Sequence, residues 1–301
     1  MTDKITVLVL GSTGMLGTKI VRALLAKGEA EIRAMIRPDS YDQHRQNIDA
    51  MKAQGATIVE GDLMKPESLL SAFETVDVVV SAVGNNQTTV PGQKNAIDTA
   101  KKQGVKRFIP SDFSVDYRKL DYGDNDNLSM RKEVLEYLQQ SGLDYTLILN
   151  GAFMDIISTP FMPQFDLDNG IFKYWGDGET PVDMTTIEDT AKYVAEAVSD
   201  RQLVNAALEV AGETLTMKQL KSAYEKGTGQ KLKMEHLGTV EELKSWIEEK
   251  KSTAQSPLEY LPQQYEYAMV SGKGKLDNIQ NSRYPHIKPL TVEEYVRQAF
   301  T

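Results

Sequence analysis

The 301-residue sequence contains no cysteine and only three histidines. The absence of cysteine excludes disulfides, thiolate nucleophiles, cysteine-bound zinc and thiol redox switches, and it favours a reducing cytoplasm. The histidines, His44, His236 and His286, are isolated from one another in the sequence. Because no pair has the spacing of metal ligands, we expect no metal site.

Long apolar runs and a positive net charge are also missing. No stretch reaches the ~18 apolar residues of a membrane span, and Ile5–Leu10 is too short for the apolar core of a signal peptide. The formal net charge of −9 disfavours nucleic acid as a partner. The Gly-Lys-Ser/Thr and Gly-x-Ser-x-Gly motifs are absent, which argues against nucleotide and serine hydrolysis. We therefore expect no membrane and no nucleic-acid partner.

Three glycines follow an apolar, β-prone run near the start of the chain. Ile5–Leu10 leads into Gly11, Gly14 and Gly17, and apolar residues then recur at helical spacing. Such glycines allow a sharp exit from a strand, close approach of the backbone to a pyrophosphate, and packing of the helix on the sheet. The pattern predicts a dinucleotide-binding turn, with an ordinary glycine-rich turn between strand and helix as the alternative. Its expected cofactor contacts are Gly11, Ser12, Thr13, Gly14, Met15, Leu16 and Gly17.

Strand-like and helix-like segments alternate over the first half of the chain. The expected strands are Ile5–Leu10, Glu31–Arg37, Ala56–Gly61, Val76–Val83, Arg107–Pro110 and Tyr145–Asn150, with helices at 14–26, 42–54, 66–74, 91–103 and 129–141. This alternation is typical of a parallel sheet with right-handed crossovers. We therefore predict an α/β fold with a doubly wound Rossmann sheet over residues 1–150.

After Asn150 prolines and glycines interrupt the alternation. The sequence there predicts short strands near 171–175 and 207–211, and helices near 187–199, 216–227, 239–250 and 291–299. These elements indicate a smaller α/β substrate-binding lobe over residues 151–301. Residues from about 180 to 210 are candidates to return to the first domain.

The end of the second predicted strand indicates which dinucleotide is bound. In this fold an acidic side chain there accepts a hydrogen bond from the free ribose hydroxyl, whereas arginine pairs with a 2′-phosphate. The chain has Arg37 at this point, which favours NADPH/NADP, and we expect Ser40 and Arg45 to complete the phosphate pocket. Asp39 is the nearest residue that would argue for NAD, and a solvated strand-end charge is the alternative for Arg37.

Ligands of doubly wound folds lie beyond the carboxyl ends of the strands. Further cofactor contacts are therefore expected at the ends of the fourth, fifth and sixth strands. They are Ser81, Ala82, Val83, Gly84, Pro110, Ser111, Asp112, Phe113 and Asn150. The small residues at 81–84 have an alternative role in packing under a loop, and Phe113 in filling the core.

With these segments placed, the chain resembles the atypical short-chain dehydrogenases grouped as NmrA-like and isoflavone-reductase-like proteins. The resembling pieces are the 11–17 turn, Ile36-Arg-Pro38, Glu60-Gly-Asp-Leu63, Gln93, residues 104–113 and Ser141-Gly-Leu-Asp-Tyr-Thr146. The resemblance implies NADPH binding in the N-terminal lobe, with Gln93 among the contacts. For the plant reductases it implies hydride transfer to phenylpropanoid-type aromatics. NmrA itself looks like a sensor that binds the dinucleotide and reports it to a regulator protein.

The resemblance also points to a catalytic position. The reductases carry a lysine at the start of the helix before the Ser141–Thr146 segment, and an ungapped alignment places Arg131 there, beside Lys132. Arginine stays protonated and is a poor proton donor, while adjacent helix positions point about 100° apart. The candidates for substrate activation are Lys132, Arg131 and Tyr117. The alternatives are an exposed helix charge for Lys132 and a surface or lid position for Tyr117.

Aromatic residues after Asn150 suit a flat, apolar substrate. The expected pocket residues are Phe153, Met154, Phe161 and Trp175, although most large aromatics are core residues. The leading hypothesis is an NADPH-dependent reductase of a small aromatic substrate. Its alternatives are an NADP(H) sensor that binds a regulator protein, and a redox-inert binding protein without a partner.

Overall fold

The computed structural model describes residues 4–84 and 86–300. The strands are β1 (Ile5–Leu10), β2 (Ala30–Ile36), β3 (Thr57–Glu60), β4 (Val78–Ser81), β5 (Arg107–Ile109), β6 (Thr146–Leu149), β7 (Ala152–Phe153), β8 (Phe165–Asp166), β9 (Ile171–Trp175), β10 (Val182–Thr185), β11 (Ala206–Glu209), β12 (Glu213–Leu215) and β13 (Lys233–Gly238). The helices are α1 (Met15–Lys27), α2 (Tyr41–Ala53), α3 (Pro66–Ala72), α4 (Asn86–Gln103), α5 (Asp126–Ser141), α6 (Ile187–Ala197), α7 (Met217–Thr228), α8 (Val240–Thr253), α9 (Leu261–Val270) and α10 (Val292–Phe300).

A parallel five-stranded sheet has the order β3-β2-β1-β4-β5. Residues 7–10 of β1 are fully buried, as expected of a central strand covered by helices on both faces. Strand order reverses between β1 and β4, and open α/β sheets bind ligands at such a point, outside the carboxyl ends of the strands. The predicted fold class, α/β with a doubly wound Rossmann sheet, is confirmed.

The chain divides into two compact units. The first contains the described residues up to Asp112, together with Met130–Ile148 and Thr190–Leu208. Its core packs β1 and β4 against apolar residues of α3, α4 and α5, among them Leu69, Ile97 and Leu138. Tyr145, just before β6, forms a parallel bridge with Phe108 of β5, and β6 pairs with β11. Residues 190–208, from the segment flagged as a candidate to return, thus belong to this unit.

The second unit contains Phe113–Ser129, Leu149–Asp189 and the described residues from Glu209 onwards. Its two sheets have the orders β12-β10-β7 and β13-β9-β8. Residues 113–129 are predicted from the sequence to belong to the first domain. Their backbone bonds to second-unit residues instead: Asp116 N–H donates to the Gly274 carbonyl at 2.9 Å, and the Ser114 carbonyl accepts from Asn150 N–H at 3.0 Å.

The helix bounds follow from local signals in most cases. Helix α1 ends where Gly28, at φ 71°, donates its N–H to the Leu24 carbonyl, a conformation that favours glycine. Helices α7 and α8 begin with capping boxes at Thr216 and Thr239. Helix α4 differs from the prediction, because it begins at Asn86 and contains Pro91 rather than beginning there.

Within the described ranges, no helix is long and apolar enough to cross a membrane.

Candidate functional site

The glycine turn between β1 and α1 is built by backbone contacts. Gly11 has φ +70°, and a Cβ on it would lie 2.7 Å from the Ala82 carbonyl oxygen. Gly14 N–H donates to the Gly11 carbonyl at 3.0 Å, and α1 begins at the next residue without a side-chain cap at Gly14. Uncapped N–H groups at a helix start form a ready site for an anion such as a phosphate.

Gly17 lies under this turn rather than at its surface. A Cβ on Gly17 would collide with the Gly11 carbonyl oxygen and would lie 2.8 Å from the Gly11 carbonyl carbon. Only glycine therefore lets α1 start this close to the end of β1. The contact fits the expected role of the third glycine, which is the packing of helix on sheet.

Ser12 and Thr18 hold the turn in place. The Ser12 hydroxyl is fully buried and donates to the Met35 carbonyl of β2 at 2.8 Å. The Thr18 hydroxyl donates to the Ser12 carbonyl at 3.1 Å. The structure thus gives the Ser12 side chain a partner inside the protein, although the sequence prediction aimed it at the cofactor.

A cavity of about 260 Å³ opens beside the glycine turn, at the carboxyl ends of the strands. The predicted residues that line it are Gly11, Thr13, Gly14, Arg37, Ser40, Ala82, Val83 and Gly84. Residues that the sequence analysis did not propose also line it, namely Met35, Ile36, His44, Gly61, Asp62, Leu63 and Thr88. The glycine turn and the end of β2, which the sequence analysis singled out separately, therefore meet at one cavity.

Other predicted contacts lie off this lining. Met15 is 80% exposed at the start of α1, and Leu16 is half-buried beside it. Ser81 is buried at the end of β4. Arg45 is exposed and pairs with Asp42 on its own helix, an interaction that raises the pKa of its guanidinium.

The end of β2 presents one cation to the cavity and one anion close to it. The Arg37 Nε lies 3.6 Å from Asp39 Oδ1, with both side chains mostly exposed. The Ser40 hydroxyl donates to the Arg37 carbonyl at 3.0 Å, which holds the backbone after β2 in a tight turn. Asp39, which the sequence analysis noted as an argument for NAD, is thus an ion-pair partner of Arg37.

His44 is the residue on the lining that sequence reasoning missed most clearly. It follows Ser40 by four residues, so both lie on one side of the start of α2. That spacing was a usable signal in the sequence. The adjacent Arg45 was predicted instead because arginine is the commoner partner of phosphate.

Gln93 of α4 connects the ends of β4 and β5. Its side-chain oxygen accepts from Ser111 N–H at 2.9 Å, and the Ser111 hydroxyl donates to the Val83 carbonyl at 2.7 Å. Gln93, Pro110, Ser111 and Asp112 are all buried. Gln93 and Ser111 therefore hold the ends of two strands together, and any role of theirs in cofactor contact stays a prediction.

Lys132 and Arg131 are partly exposed neighbours on α5, in the first unit. Phe113 and Asn150 belong to the second unit and are buried. The Asn150 carbonyl accepts from the Thr185 hydroxyl at 2.7 Å. Catalytic and cofactor roles for these four residues stay predictions.

Tyr117 requires a correction. A surface or lid position is the predicted alternative to a catalytic role for this residue, but its side chain is fully buried. It begins a 3-10 helix (Tyr117–Lys119) in the second unit. The next residue, Arg118, is anchored between Asp116 at 2.7 Å and Glu209 at 2.9 Å. These ion pairs hold the 3-10 helix in place, and the ring of Tyr117 next to them is buried in the second unit.

The predicted substrate aromatics all lie in the second unit. Phe153, Phe161 and Trp175 are half-buried, while Met154 is fully buried. The Phe161 ring contacts Tyr265 edge to face, with centroids 6.4 Å apart. Phe153, Phe161 and Trp175 therefore keep some accessible surface, whereas Met154 keeps none.

In the described part of the chain, no group of three or more acidic or histidine side chains has the arrangement of a metal site.

Comparisons with known proteins extend over nearly the whole chain. The model of the NmrA-like family matches residues 3–296. Pinoresinol reductase 1 of Arabidopsis thaliana is 28% identical over 310 residues, which cover 98% of this chain and 97% of that protein. Isoflavone reductase homolog P3 of the same plant is 28% identical, with 98% of each protein covered.

Solved structures show the same fold. The structure of AtPrR2 with NADP⁺ and (+)pinoresinol matches with a TM-score of 0.85 and 25% identity, covering 99% of each chain. The crystal structure of isoflavone reductase matches with a TM-score of 0.82 and 23% identity, covering 99% of this chain and 100% of that one.

Proposed function

The chain belongs to the NmrA-like family, and from this premise we propose that it is an NADPH-dependent reductase of a small phenylpropanoid-type aromatic substrate. The observation that carries the proposal is that the glycine turn and Arg37 line the same cavity. Relatives named as pinoresinol reductases, and the solved structure of AtPrR2 with NADP⁺ and (+)pinoresinol, support both the cofactor and the substrate class.

The residues around the cavity fit the adenosine half of NADPH. A Cβ on Gly11 would meet backbone, so the close approach of the turn to a ligand depends on glycine. The free N–H groups at the start of α1 suit the pyrophosphate, and Arg37 suits the 2′-phosphate. When bound, NADPH supplies a hydride from its reduced nicotinamide ring.

Among the chain's own groups, Lys132 is the first candidate for substrate activation. A lysine ammonium polarises a substrate oxygen and passes a proton to it, whereas the Arg131 guanidinium stabilises developing negative charge without giving up its proton. Tyr117 stays third, because a fully buried ring has no free face for a ligand. The half-buried rings of Phe153, Phe161 and Trp175 are the proposed apolar contacts.

A sensor that binds NADP(H) without turnover is the second candidate. The specific observation in its favour is Arg131, which stands where an ungapped alignment with the plant reductases expects their lysine. In this case the loops of the protein would bind a regulator protein and report the bound dinucleotide.

The deciding experiment follows the absorbance of reduced nicotinamide while the protein is offered NADPH and pinoresinol, other benzylic ethers, enones and aromatic carbonyls in turn. We expect NADPH to be consumed with at least one of them, and NADH to be consumed more slowly. Tight NADPH binding with no consumption across the panel would favour the sensor instead.

We predict that Lys132→Ala lowers kcat by about 100-fold, the range typical of lost general acid–base catalysis, with little change in the affinity for NADPH. Steady-state kinetics at saturating NADPH measures this effect. Lys101→Ala, which changes a lysine at the end of α4, is the matched control and should keep the wild-type kcat. An unchanged kcat in Lys132→Ala would remove Lys132 from the mechanism and make Arg131 the next residue to test.

A further inference from the structure

The most exposed methionine of the described chain is Met15, the first residue of α1. Its side chain is 80% exposed, and Met64 follows at 48%. Met130 and Met234 are half-buried, and the remaining methionines within the described ranges are at most 5% exposed. The chain contains no cysteine, and oxidation of sulfur side chains follows their exposure. Among the described residues, Met15 is therefore the side chain most open to a peroxide.

Met15 is joined directly to the proposed cofactor cavity. Gly14, the residue before it, lines this cavity, and α1 begins at Met15 without a side-chain cap. The Gly14 carbonyl accepts from Thr18 N–H at 2.9 Å, so the N–H groups of residues 15–17 come before the first hydrogen bond of the helix. These are the groups proposed above to bind the pyrophosphate.

The direction of side chains on a helix places the thioether of Met15 beside these N–H groups. Side chains of an α-helix lean towards its N-terminus. The side chain of the first residue of α1 therefore extends from the same end of the helix as the proposed phosphate site. A change in the polarity of Met15 acts next to the phosphates of a bound dinucleotide. Met35 also lines the cavity, but it is only 5% exposed.

We propose that Met15 is an oxidation site through which peroxides weaken dinucleotide binding. Hydrogen peroxide transfers one oxygen atom to the thioether: the O–O bond breaks, an S–O bond forms, the sulfur is oxidised to a sulfoxide and the peroxide is reduced to water. The sulfoxide oxygen is polar and accepts hydrogen bonds, so it competes with the pyrophosphate for the N–H groups at the start of α1. The inference rests on the proposed NADPH site and names a regulation of that site.

The position of Met15 predicts which part of the dinucleotide is affected. NADP(H) and NAD(H) share the pyrophosphate and differ only in the 2′-phosphate, which is the proposed partner of Arg37 at the end of β2. Oxidation of Met15 should therefore weaken both dinucleotides to the same extent. A substitution of Arg37 should instead discriminate between them.

The first experiment treats wild type, Met15→Leu and Met64→Leu with hydrogen peroxide, removes the peroxide with catalase, and measures NADP⁺ and NAD⁺ affinities by calorimetry. Peptide mass spectrometry identifies the oxidised residues. We expect oxidised wild type to bind both dinucleotides about threefold to tenfold more weakly, the size of one hydrogen bond. Met15→Leu should keep the affinity that it has before treatment, whereas Met64→Leu should lose affinity as wild type does.

Two further measurements separate this effect from general damage by peroxide. Methionine sulfoxide reductases A and B, which reduce the two sulfoxide epimers, should restore the affinity of oxidised wild type. Met15→Gln, which places a carbonyl oxygen at this position without peroxide, should bind both dinucleotides more weakly than Met15→Leu. In addition, saturating NADP⁺ should slow the oxidation of Met15 and leave that of Met234, in the second unit, unchanged.

The negative results are distinguishable. If Met15 is oxidised while NADP⁺ affinity stays the same, or if the loss is confined to NADP⁺, the inference about Met15 is wrong and the proposed cofactor site stands. The same holds if Met15→Leu loses as much affinity on treatment as wild type does. If the untreated protein does not bind NADP⁺, the proposed function is wrong, and the inference fails with it.

Discussion

Asp39 of the same chain competes with the 2′-phosphate for the side chain of Arg37. Its guanidinium lies 3.6 Å from the Asp39 carboxylate, and both groups are mostly exposed. Exposed ion pairs contribute about 0–1 kcal/mol, whereas a guanidinium–phosphate pair gains from charge-assisted and bidentate hydrogen bonds. A 2′-phosphate should therefore displace Asp39 at little cost.

At the same scale, we predict that Arg37→Glu weakens NADPH binding about 100-fold and NADH binding less than about threefold, because it removes a charge-assisted pair and adds a repelling charge. Fluorescence titration with each dinucleotide measures both effects. Arg22→Glu, on the exposed side of α1, makes the same change of charge off the lining and should leave both affinities unchanged. Equal losses for the two dinucleotides in Arg37→Glu would contradict the phosphate assignment.

Residue type alone did not predict the hydrogen-bond partners of the polar side chains near the site. Ser12 and Gln93 were predicted as cofactor contacts, yet their side chains bond to Met35 and Ser111 inside the protein. A buried hydroxyl or amide costs free energy unless it finds a partner. That partner comes from another strand or loop, so the local sequence does not reveal it.

At the scale of elements, the start of α1 depends on the space that glycine leaves at position 17. We predict that Gly17→Ala lowers the free energy of unfolding by about 1–3 kcal/mol, the usual cost of overpacking, because its Cβ would collide with the Gly11 carbonyl. It should also weaken NADPH binding, since the turn must shift. Thermal denaturation and NADPH titration check the two effects.

Gly28→Ala is the matched control at the other end of α1. Gly28 has φ +71°, and a Cβ on it would have nothing within 4 Å, so the substitution costs only the backbone strain of about 1 kcal/mol. It should leave NADPH affinity as in wild type. An NADPH affinity in Gly17→Ala equal to that in Gly28→Ala would show that the turn tolerates a shift of α1.

The elements that sequence periodicity predicted well are those with strong local signals. The predicted helix at 129–141 is observed as α5 (Asp126–Ser141), and the strand at 171–175 as β9. Strands β10 and β13 are among those missed. The six residues of β13 include only two large apolar side chains, Met234 and Leu237, and this strand is defined by its pairing with β9.

At the scale of the whole molecule, Glu266 of α9 makes the free energy of unfolding depend on pH. The residue is only 3% exposed, and burial raises the pKa of its carboxyl group to about 8. The ordinary value is 4.5, so between these two pH values the folded protein keeps a proton that the unfolded chain has lost. The free energy of unfolding therefore falls as the pH rises through this window.

We predict that Glu266→Gln, which resembles the neutral carboxyl group, leaves stability nearly unchanged at pH 4.5 and raises it by up to about 4 kcal/mol at pH 8. Urea denaturation of both proteins at pH 4.5, 6.5 and 8 measures this difference. Glu259→Gln is the control, because Lys250 and the N–H groups of Gln255 and Ser256 lower the pKa of that exposed carboxyl group. Its effect should stay constant from pH 5 to 8, and a constant effect of Glu266→Gln as well would contradict the raised pKa.

Local sequence was enough to predict the parallel sheet, the glycine turn and the charge at the end of β2. These features depend on periodicity, on glycine's freedom at a turn and on the residue type at one strand end. Two others emerged only from the folded chain: Tyr117 is buried, and residues 113–129 pack with the second unit. Ion pairs, burial and strand pairing join residues far apart in the chain, so no local pattern specifies their partners.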